Sequence, residues 1–431
     1  MGLEVERLIE PSTELGCIVP AYGGRSVANV APSLVRALEV ELRGEPTLLP
    51  PLSPDLNPFA SSPLPGPVIV FAVDGLGWFP FVRWAGSAAE GPSSWLPYSR
   101  PITSVFPTTT STALVSLSSG VSPSTHGIVG YRQYLPRYGV VADLLKFMPL
   151  VGGSPGSLAG PDWRPEMVCG AGSILSRGVA GAVVTRREFQ GTPFTRMLYE
   201  GAEFVPYSTA SDLAHGLSHV LRRANPPPVV FVYWDELDTV QHLRGPQAEI
   251  TALELDRLRG LLGYVAASLP GPARRATTVL LTSDHGQVPA TVEARVRVEA
   301  LPAVVHEMSR PLAGDRRAGL FAARPGRVDA LHEALTRALP ERAKVIDIPR
   351  AVRAGLFGPG PFHPELTERL GDFLVLLPSP GGLTYLPPGA SAPDRFLAGA
   401  HGGLEPEELV VPLVAGTLEQ LTETPVARPK E

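Results

Sequence analysis

Three short apolar runs in the sequence are each followed directly by acidic residues. They are Val68–Val73, 227–233 and 277–282, and none shows the strict apolar–polar alternation of a half-exposed strand. Continuous apolar runs of this length are typical of strands buried on both faces of a parallel sheet. Open α/β sheets place their ligands beyond the carboxyl ends of such strands. The pattern therefore predicts an α/β fold whose acidic residues gather at one sheet edge.

Apolar residues at helical spacing predict helices between and around these strands. The segments 29–42, 211–224 and 247–269 carry an apolar stripe that suits packing on a sheet. From 291 to 370 the predicted elements become shorter, and the apolar run 372–377 resembles a return to the main sheet. We therefore predict an N-terminal segment 1–66 with a proline-rich connection at 44–66, a main domain of 67–290 and 371–431, and a smaller α+β cap insertion of 291–370.

The stretch 104–131 places a row of hydroxyl side chains before a run that is compatible with a helix. Thr108, Thr109 and Thr110 follow a proline, and the helical run ends at Gly120. A hydroxyl at a helix N-terminus lies where free amides and the helix dipole favour a phosphate and a developing alkoxide. Threonine is also an ordinary N-cap residue. The local pattern alone is therefore compatible with either a nucleophile or a cap.

Composition and charge narrow the classes of partner. Of 431 residues, 44% are hydrophobic and 18% charged, which suits a globular protein with a large core. The formal charge of -5 gives no indication of a positively charged surface that would bind a nucleic-acid polymer or an anionic membrane. We see no signal peptide and no apolar run of membrane-spanning length, so a cytoplasmic location is expected. Oligomeric state has no signature in the sequence.

Acidic residues and histidines follow the predicted strands in a set that suits metal ions. Asp238 and His242 are four residues apart, so both face one side of a helical turn. The other members of the set are Asp74, Asp284, His285 and His401. Each residue has an ordinary alternative, because an aspartate after a strand is commonly a turn residue or a cap. Three carboxylates and three imidazoles together fit two divalent metals, and zinc suits these nitrogen and oxygen ligands.

The order of the motifs resembles the alkaline phosphatase superfamily, in its type I phosphodiesterase and nucleotide pyrophosphatase branch. The matching motifs are VDGLG at 73–77, FPTTT at 106–110, the SG and P-x-x-HGI pattern within 119–128, D-x-x-x-H-x-x-GP at 238–246, SDHG at 283–286 and AHGG at 400–403. The resemblance extends from about residue 67 to about residue 414. It implies an alkaline-phosphatase-like core with a largely parallel central sheet flanked by helices.

The same resemblance implies roles for individual residues. One metal would be held by Asp238, His242 and His401, and a second by Asp74, Asp284 and His285. Thr110 would be the nucleophile and a metal ligand, forming a phosphothreonine during cleavage of phosphodiester or pyrophosphate bonds in small molecules such as nucleotides. The expected cofactors are two divalent ions, zinc first and manganese second.

Three positions depart from the family pattern. Tyr131, followed by Arg132, occupies the place of an asparagine that binds a phosphoryl oxygen, so both become candidate substrate contacts. Ala113 replaces a second asparagine, and Gln241 replaces a small glycine, which we expect to be tolerated on the rim. Trp163, in the loop 151–172, is a further candidate substrate contact. These departures leave open the preference between monoesters and diesters.

Two alternative functions on the same fold are left open by the sequence. A phosphomonoesterase or phosphonate hydrolase of the same superfamily is the first alternative, and a non-catalytic binding protein is the second. A sulfatase is disfavoured, because neither Cys17 nor Cys169 lies in the C-x-P-x-R context that such enzymes modify. About two metal ions per chain would favour an enzyme with a two-metal site over a binding protein.

Overall fold

A central seven-stranded sheet forms the main layer of the protein. The computed structural model describes residues 2–59, 64–86, 95–389 and 397–423. The strands of all sheets in these residues are β1 (Val68–Val73), β2 (Ser99–Thr103), β3 (Arg132–Leu135), β4 (Val140–Asp143), β5 (Met148–Pro149), β6 (Gly181–Arg186), β7 (Glu203–Tyr207), β8 (Val229–Trp234), β9 (Thr278–Thr282), β10 (Val288–Pro289), β11 (Arg295–Arg297), β12 (Ala313–Gly314), β13 (Ala318–Phe321), β14 (Lys344–Asp347), β15 (Phe373–Leu376), β16 (Gly382–Thr384), β17 (Gly399–Ala400) and β18 (Val410–Thr417). The order in the main sheet is β2-β18-β9-β1-β8-β6-β7.

The three apolar runs lie side by side at the centre of this sheet. Strand β1 pairs in parallel with β8 on one side and β9 on the other, with Val73 opposite Trp234 and Ala72 opposite Thr282. All six residues of β1 are buried. The predicted parallel α/β core is confirmed, and the register brings the ends of these strands to the same edge.

Helices cover both faces of the main sheet and also pack against the second sheet described below. They are α1 (Gly2–Leu8), α2 (Val30–Ala37), α3 (Trp78–Gly86), α4 (Thr110–Ser119), α5 (Pro123–His126), α6 (Pro193–Tyr199), α7 (Ala210–Leu221), α8 (Glu236–Arg244), α9 (Ala248–Ala267), α10 (Gly271–Ala276), α11 (Pro302–Glu307), α12 (Val328–Ala338), α13 (Ile348–Arg353), α14 (Leu366–Leu370), α15 (Pro406–Leu409) and α16 (Leu418–Thr422). Because successive strand side chains point to opposite faces, Val70 of β1 packs in the core that contains Leu114 of α4, and Phe71 packs with Leu262 of α9.

A second seven-stranded sheet has the order β14-β15-β13-β12-β3-β4-β5. Residues 132–149 contribute β3 to β5, so this sheet is not built from the region 291–370 alone. The expected return of the run 372–377 to the main sheet is wrong, because β15 pairs with β13 and β14. Leu374 packs in one core beside Phe106, and Phe373 packs in another beside Leu331. Burial on both faces gives β15 the continuous apolar pattern of a central strand.

Local boundaries differ from the sequence prediction in a few places. The helix predicted at 29–42 is α2, which ends at Ala37, well before residue 42. The division into segments 1–66, 67–290 with 371–431, and 291–370 stays a prediction, and parts of the first two lie outside the described residues. Among the described residues, no helix combines the length and apolar character needed to cross a membrane.

A buried ion pair joins the second sheet to the chain segment before β18. The guanidinium of Arg317, 1% exposed, contacts both carboxylate oxygens of Glu408, 0% exposed, at 3.0 and 3.1 Å. Arg317 also contacts Glu405 at 3.0 Å, but Glu405 is only half-buried, so loss of Glu408 removes the fully buried partner of the guanidinium. We expect Glu408→Ala to lower the free energy of unfolding by up to about 3–5 kcal/mol in urea titrations followed by circular dichroism.

The matched control is an exposed pair on α12, between Arg337 and Glu333 at 2.7 Å. Exposed pairs contribute at most about 1 kcal/mol, so Glu333→Ala should change stability little. Equal losses in the two variants would contradict the structural role of the buried pair.

Candidate metal and nucleophile centre

Acidic residues from three neighbouring strands meet at one edge of the main sheet. Asp74 follows β1, Asp284 follows β9, and Asp238 lies in the first turn of α8, just after β8. Gly75 has a φ of 78°, and a Cβ at this position would lie 3.0 Å from the Cα of Asp238. A glycine is needed here, since only a residue without a side chain lets β1 and α8 approach this closely.

The first group of candidate ligands is Asp74, Asp284 and His285, whose ligand atoms lie within 4.8 Å of one another. The imidazole Nε2 of His285 is 3.5 Å from Oδ1 of Asp74 and 3.5 Å from Oδ2 of Asp284. All three residues are buried. Among the described residues, neither of these two carboxylate oxygens has a hydrogen-bond partner. Such orphaned buried oxygens suit a cation as their partner, because an uncompensated buried carboxylate is costly.

The other carboxylate oxygens of this group are held in place. Tyr233 donates its hydroxyl proton to Oδ2 of Asp74. Oδ1 of Asp284 accepts from the amides of Gly75 at 3.2 Å and His285 at 2.9 Å. Burial raises the pKa of Asp74 well above its usual range, and the nearby Asp284 charge raises it further. Because these hydrogen bonds fix one oxygen of each carboxylate, the other oxygen of each is the one that faces His285.

The second group of candidate ligands is Asp238, His285 and His401, also within 4.8 Å. The rings of His285 and His401 stack with centroids 3.8 Å apart. His242, which the resemblance assigns to this site, has its Nε2 3.3 Å from Oδ2 of Asp238 and its ring centroid 5.1 Å from that of His401. All predicted ligands therefore converge, with His285 shared between the two compact groups.

Backbone carbonyls orient two of these imidazoles. Nδ1 of His242 lies 2.9 Å from the carbonyl oxygen of Gly399, and Nδ1 of His401 lies 3.0 Å from that of Thr108. A carbonyl partner fixes Nδ1 as the protonated nitrogen and leaves Nε2 available to a metal. Burial lowers the pKa of His401 well below its usual range, and the nearby His285 lowers it further. A neutral imidazole is the form that ligates metals.

Thr110 lies at the start of α4, beside both groups. Its Oγ1 is 3.2 Å from Nε2 of His285. The N-cap position belongs to Thr109 instead, so the hydroxyl of Thr110 is not a helix cap. Six residues separated by more than three hundred positions and one threonine oxygen therefore share a single site.

Of the substrate contacts predicted from the sequence, two line a cavity beside Thr110 and one lies in the core. Tyr131 and Arg132 both line a cavity of about 760 Å³ that opens onto Thr110. The Tyr131 hydroxyl donates to Oδ2 of Asp143 at 2.7 Å, so its proton is already used. Trp163 is 5% exposed and packs against Phe147 with ring centroids 5.0 Å apart, within the core. Its assignment as a substrate contact is wrong, because its ring fills the core beneath the loop.

Several residues that support the site were not identified from the sequence. Tyr233 is buried in the core at the end of β8, and its hydroxyl donates to Asp74. Gln287 donates its side-chain amide to Oδ1 of Asp238. Gln241 was expected on the rim, but it is 1% exposed and donates to the hydroxyl of Thr251 at 3.2 Å. One signal for Gln287 was available, since it follows the SDHG motif by one residue.

Comparison with known proteins identifies the family. A sequence model of type I phosphodiesterase / nucleotide pyrophosphatase matches residues 68–404. Murine ectonucleotide pyrophosphatase / phosphodiesterase 5 has a similar structure, with a TM-score of 0.61 and 17% identity over 81% of this chain and 87% of that chain. The human protein of the same name gives 0.59 and 16%, covering 81% and 87%.

A bacterial enzyme shares the fold as well. Phosphonoacetate hydrolase from Sinorhizobium meliloti 1021, in complex with phosphonoformate, has a TM-score of 0.57 and 18% identity over 82% of this chain and 90% of that chain. A search of curated proteins finds no match. The chain belongs to the type I phosphodiesterase / nucleotide pyrophosphatase family of the alkaline phosphatase superfamily, a family of metal-dependent hydrolases.

Proposed function

We propose that the protein hydrolyses phosphodiester or pyrophosphate bonds of small molecules such as nucleotides, through a phosphothreonine at Thr110. The observation that carries this proposal is the position of the Thr110 hydroxyl, 3.2 Å from His285, beside two groups of carboxylates and imidazoles. The family and the acidic cluster support a hydrolase, and the helix start favours negative charge at this hydroxyl.

Two divalent ions, zinc being the expected metal, would be held by the six predicted ligands. Asp238, His242 and His401 would hold one ion. Asp74, Asp284 and His285 would hold the other, with Thr110 as a further ligand. When bound, such ions lower the pKa of a coordinated hydroxyl and neutralise phosphoryl oxygens.

The residues of the chain supply the remaining steps. Thr110 attacks phosphorus in line, the bond to the leaving oxygen breaks, and a phosphothreonine forms. Water then attacks the same phosphorus, which releases phosphate or a phosphate monoester and restores the hydroxyl. The first turn of α4 presents free backbone amides to the charge that develops on the phosphoryl group.

A phosphomonoesterase or phosphonate hydrolase is the second candidate. The observation in its favour is the bond from Tyr131 to Asp143, because the phenol proton is not free to replace the amide of the family asparagine. The two candidates differ in substrate. A panel of p-nitrophenyl phosphate, bis-p-nitrophenyl phosphate and p-nitrophenyl thymidine monophosphate, assayed with added zinc or manganese, separates them.

Removal of metal is expected to abolish turnover in this assay. A chelator should remove about two zinc ions per chain, and added zinc should restore hydrolysis. Metal content is measured by mass spectrometry before and after dialysis. Hydrolysis that persists in metal-free protein would contradict the proposal, and so would metal-loaded protein that cleaves none of the three substrates.

A further inference from the structure

The side chain of Gln287 lies against Asp238, one of the candidate metal ligands. Gln287 comes directly before β10 and is 6% exposed. Its Nε2 donates to Oδ1 of Asp238 and, at 3.3 Å, to the backbone carbonyl oxygen of the same residue. Both of these oxygens only accept hydrogen bonds, so they determine which end of the side-chain amide faces Asp238. The proposed reaction gives Gln287 no role.

The hydrogen bond from Gln287 leaves one oxygen of Asp238 to an ion. Oδ2 of Asp238 lies 3.3 Å from Nε2 of His242, the ring nitrogen that is available to a metal. Oδ1 is already held by Gln287. A carboxylate that is fixed at one oxygen has less rotational freedom to lose when its other oxygen binds an ion. Gln287 is therefore placed to raise the affinity of this group for a metal.

Gln287 also packs against the segment that carries the histidines of the same group. A Cβ at Gly399 would lie 2.2 Å from Oε1 of Gln287, so the glycine backbone passes directly beside this side chain. The carbonyl oxygen of Gly399 lies 2.9 Å from Nδ1 of His242. Strand β10 pairs with β17 just before His401. One side chain thus contacts both Asp238 and the backbone that orients His242.

The two groups of candidate ligands differ in their need for such support. In the first group, the side chains of Asp74 and Asp284 are 4% and 0% exposed, and backbone amides hold Oδ1 of Asp284. In the second group, the side chain of Asp238 is 14% exposed and lines the cavity. Its Oδ1 is held by the side chain of Gln287. A single substitution can therefore remove this support.

We propose that Gln287 is a positioning residue for the ion of the second group, and that it raises the affinity of this ion without contacting it. The inference rests on the proposed metal centre and goes beyond it, because Gln287 is not one of the predicted ligands. Residues that orient metal ligands from outside typically change metal affinity by about 10–100-fold. Gln287→Met keeps the length of the side chain and removes its donor, so it should weaken this ion by that amount.

The test measures zinc affinity in two backgrounds that each retain one group of ligands. Asp284→Asn removes a charged ligand from the first group, and His242→Ala removes a ligand from the second. The Kd for zinc is measured by competition with a chromophoric chelator. In the Asp284→Asn background, adding Gln287→Met should raise this Kd by about 10–100-fold. In the His242→Ala background, the same substitution should leave the Kd nearly unchanged.

Tyr233→Phe is the matched comparison, because Tyr233 donates to Asp74 in the first group. It should give the opposite pattern, with a weaker ion in the His242→Ala background and an unchanged ion in the Asp284→Asn background. A general loss of packing would instead weaken zinc in both backgrounds. Gln287→Leu also removes the donor and is measured beside Gln287→Met, so the result does not depend on one variant. Thermal unfolding of the metal-free proteins checks that each variant is folded.

Three results would overturn the inference. They are an unchanged Kd when Gln287→Met is added to Asp284→Asn, equal losses of affinity in the two backgrounds, and an Asp284→Asn protein that binds no zinc. The proposed function is tested separately, by hydrolysis of bis-p-nitrophenyl phosphate by the zinc-loaded wild type. The expected pattern of affinities without any hydrolysis would support the role of Gln287 and contradict the proposed reaction.

Discussion

Replacing Thr110 with alanine is expected to lower kcat by at least about 1,000-fold, as loss of a covalent nucleophile does in other enzymes. The side chain is 7% exposed and its hydroxyl faces His285, so alanine removes the reacting oxygen and little packing. The variant should retain its metal content and its thermal stability. Turnover is measured with bis-p-nitrophenyl phosphate at saturating zinc.

Thr112 provides the matched control for this experiment. It lies one half-turn along α4, is fully buried, and its hydroxyl has no hydrogen-bond partner in the part of the chain that the structure describes. Thr112→Ala should therefore keep its turnover. If Thr110→Ala remains active, or if both variants lose activity equally, the nucleophile is not Thr110.

Replacing Asp284 with asparagine is expected to remove one of the two zinc ions and to abolish turnover. Oδ2 of Asp284 faces His285 at 3.5 Å, so the substitution removes a charged ligand from the first group. Asparagine can still accept the two backbone amides that Oδ1 accepts now. The metal-free variant should also be more stable than the metal-free wild type, because the repulsion that raises the pKa of Asp74 is relieved.

Calorimetric unfolding with and without zinc separates these effects. Zinc should raise the Tm of the wild type, since a ligand that binds only the folded state stabilises it, and should raise the Tm of Asp284→Asn less, because only the other ion site remains. Asp235→Asn is the matched control. Asp235 also follows a buried strand, but it pairs with Arg186 at 2.8 Å outside both groups. Equal zinc stabilisation in wild type and Asp284→Asn would rule out Asp284 as a ligand.

Much of the fold was readable from the sequence because its central strands are buried on both faces. Strands β1, β8 and β9 appeared as continuous apolar runs, and the acids after them marked the functional edge. The helix ending at Gly120 was also readable, since a glycine with a φ of 75° ends it. Such signals are local in the chain, so no knowledge of distant contacts was needed.

The misassigned strand shows where local patterns stop being informative. The run that forms β15 is as apolar as β1, because both of its faces are buried. Helices α11 and α12 cover one face, and the core that contains Phe106 covers the other. Burial on two faces is common to both sheets. Which sheet a strand joins depends on its hydrogen-bonded neighbours, and here these are β13 and β14.

The candidate site was likewise predictable from the sequence only in part. The identity and order of its ligands were set by motifs, whereas the sharing of His285 between two groups depends on ring stacking with His401, more than one hundred residues away. Similarly, Arg132 was a candidate contact from its position in the sequence, but nothing in the sequence linked it to Arg316.

By itself, the sequence determined the parallel core, the acidic edge and the candidate metal ligands, because apolar runs, motifs and residue spacings are local in the chain. The tertiary structure decided which strands form the second sheet, that the phenol of Tyr131 donates to Asp143, and that Arg132 and Arg316 line the same cavity as Thr110. Those features arise from contacts between distant segments, and such contacts exist only once the chain has folded.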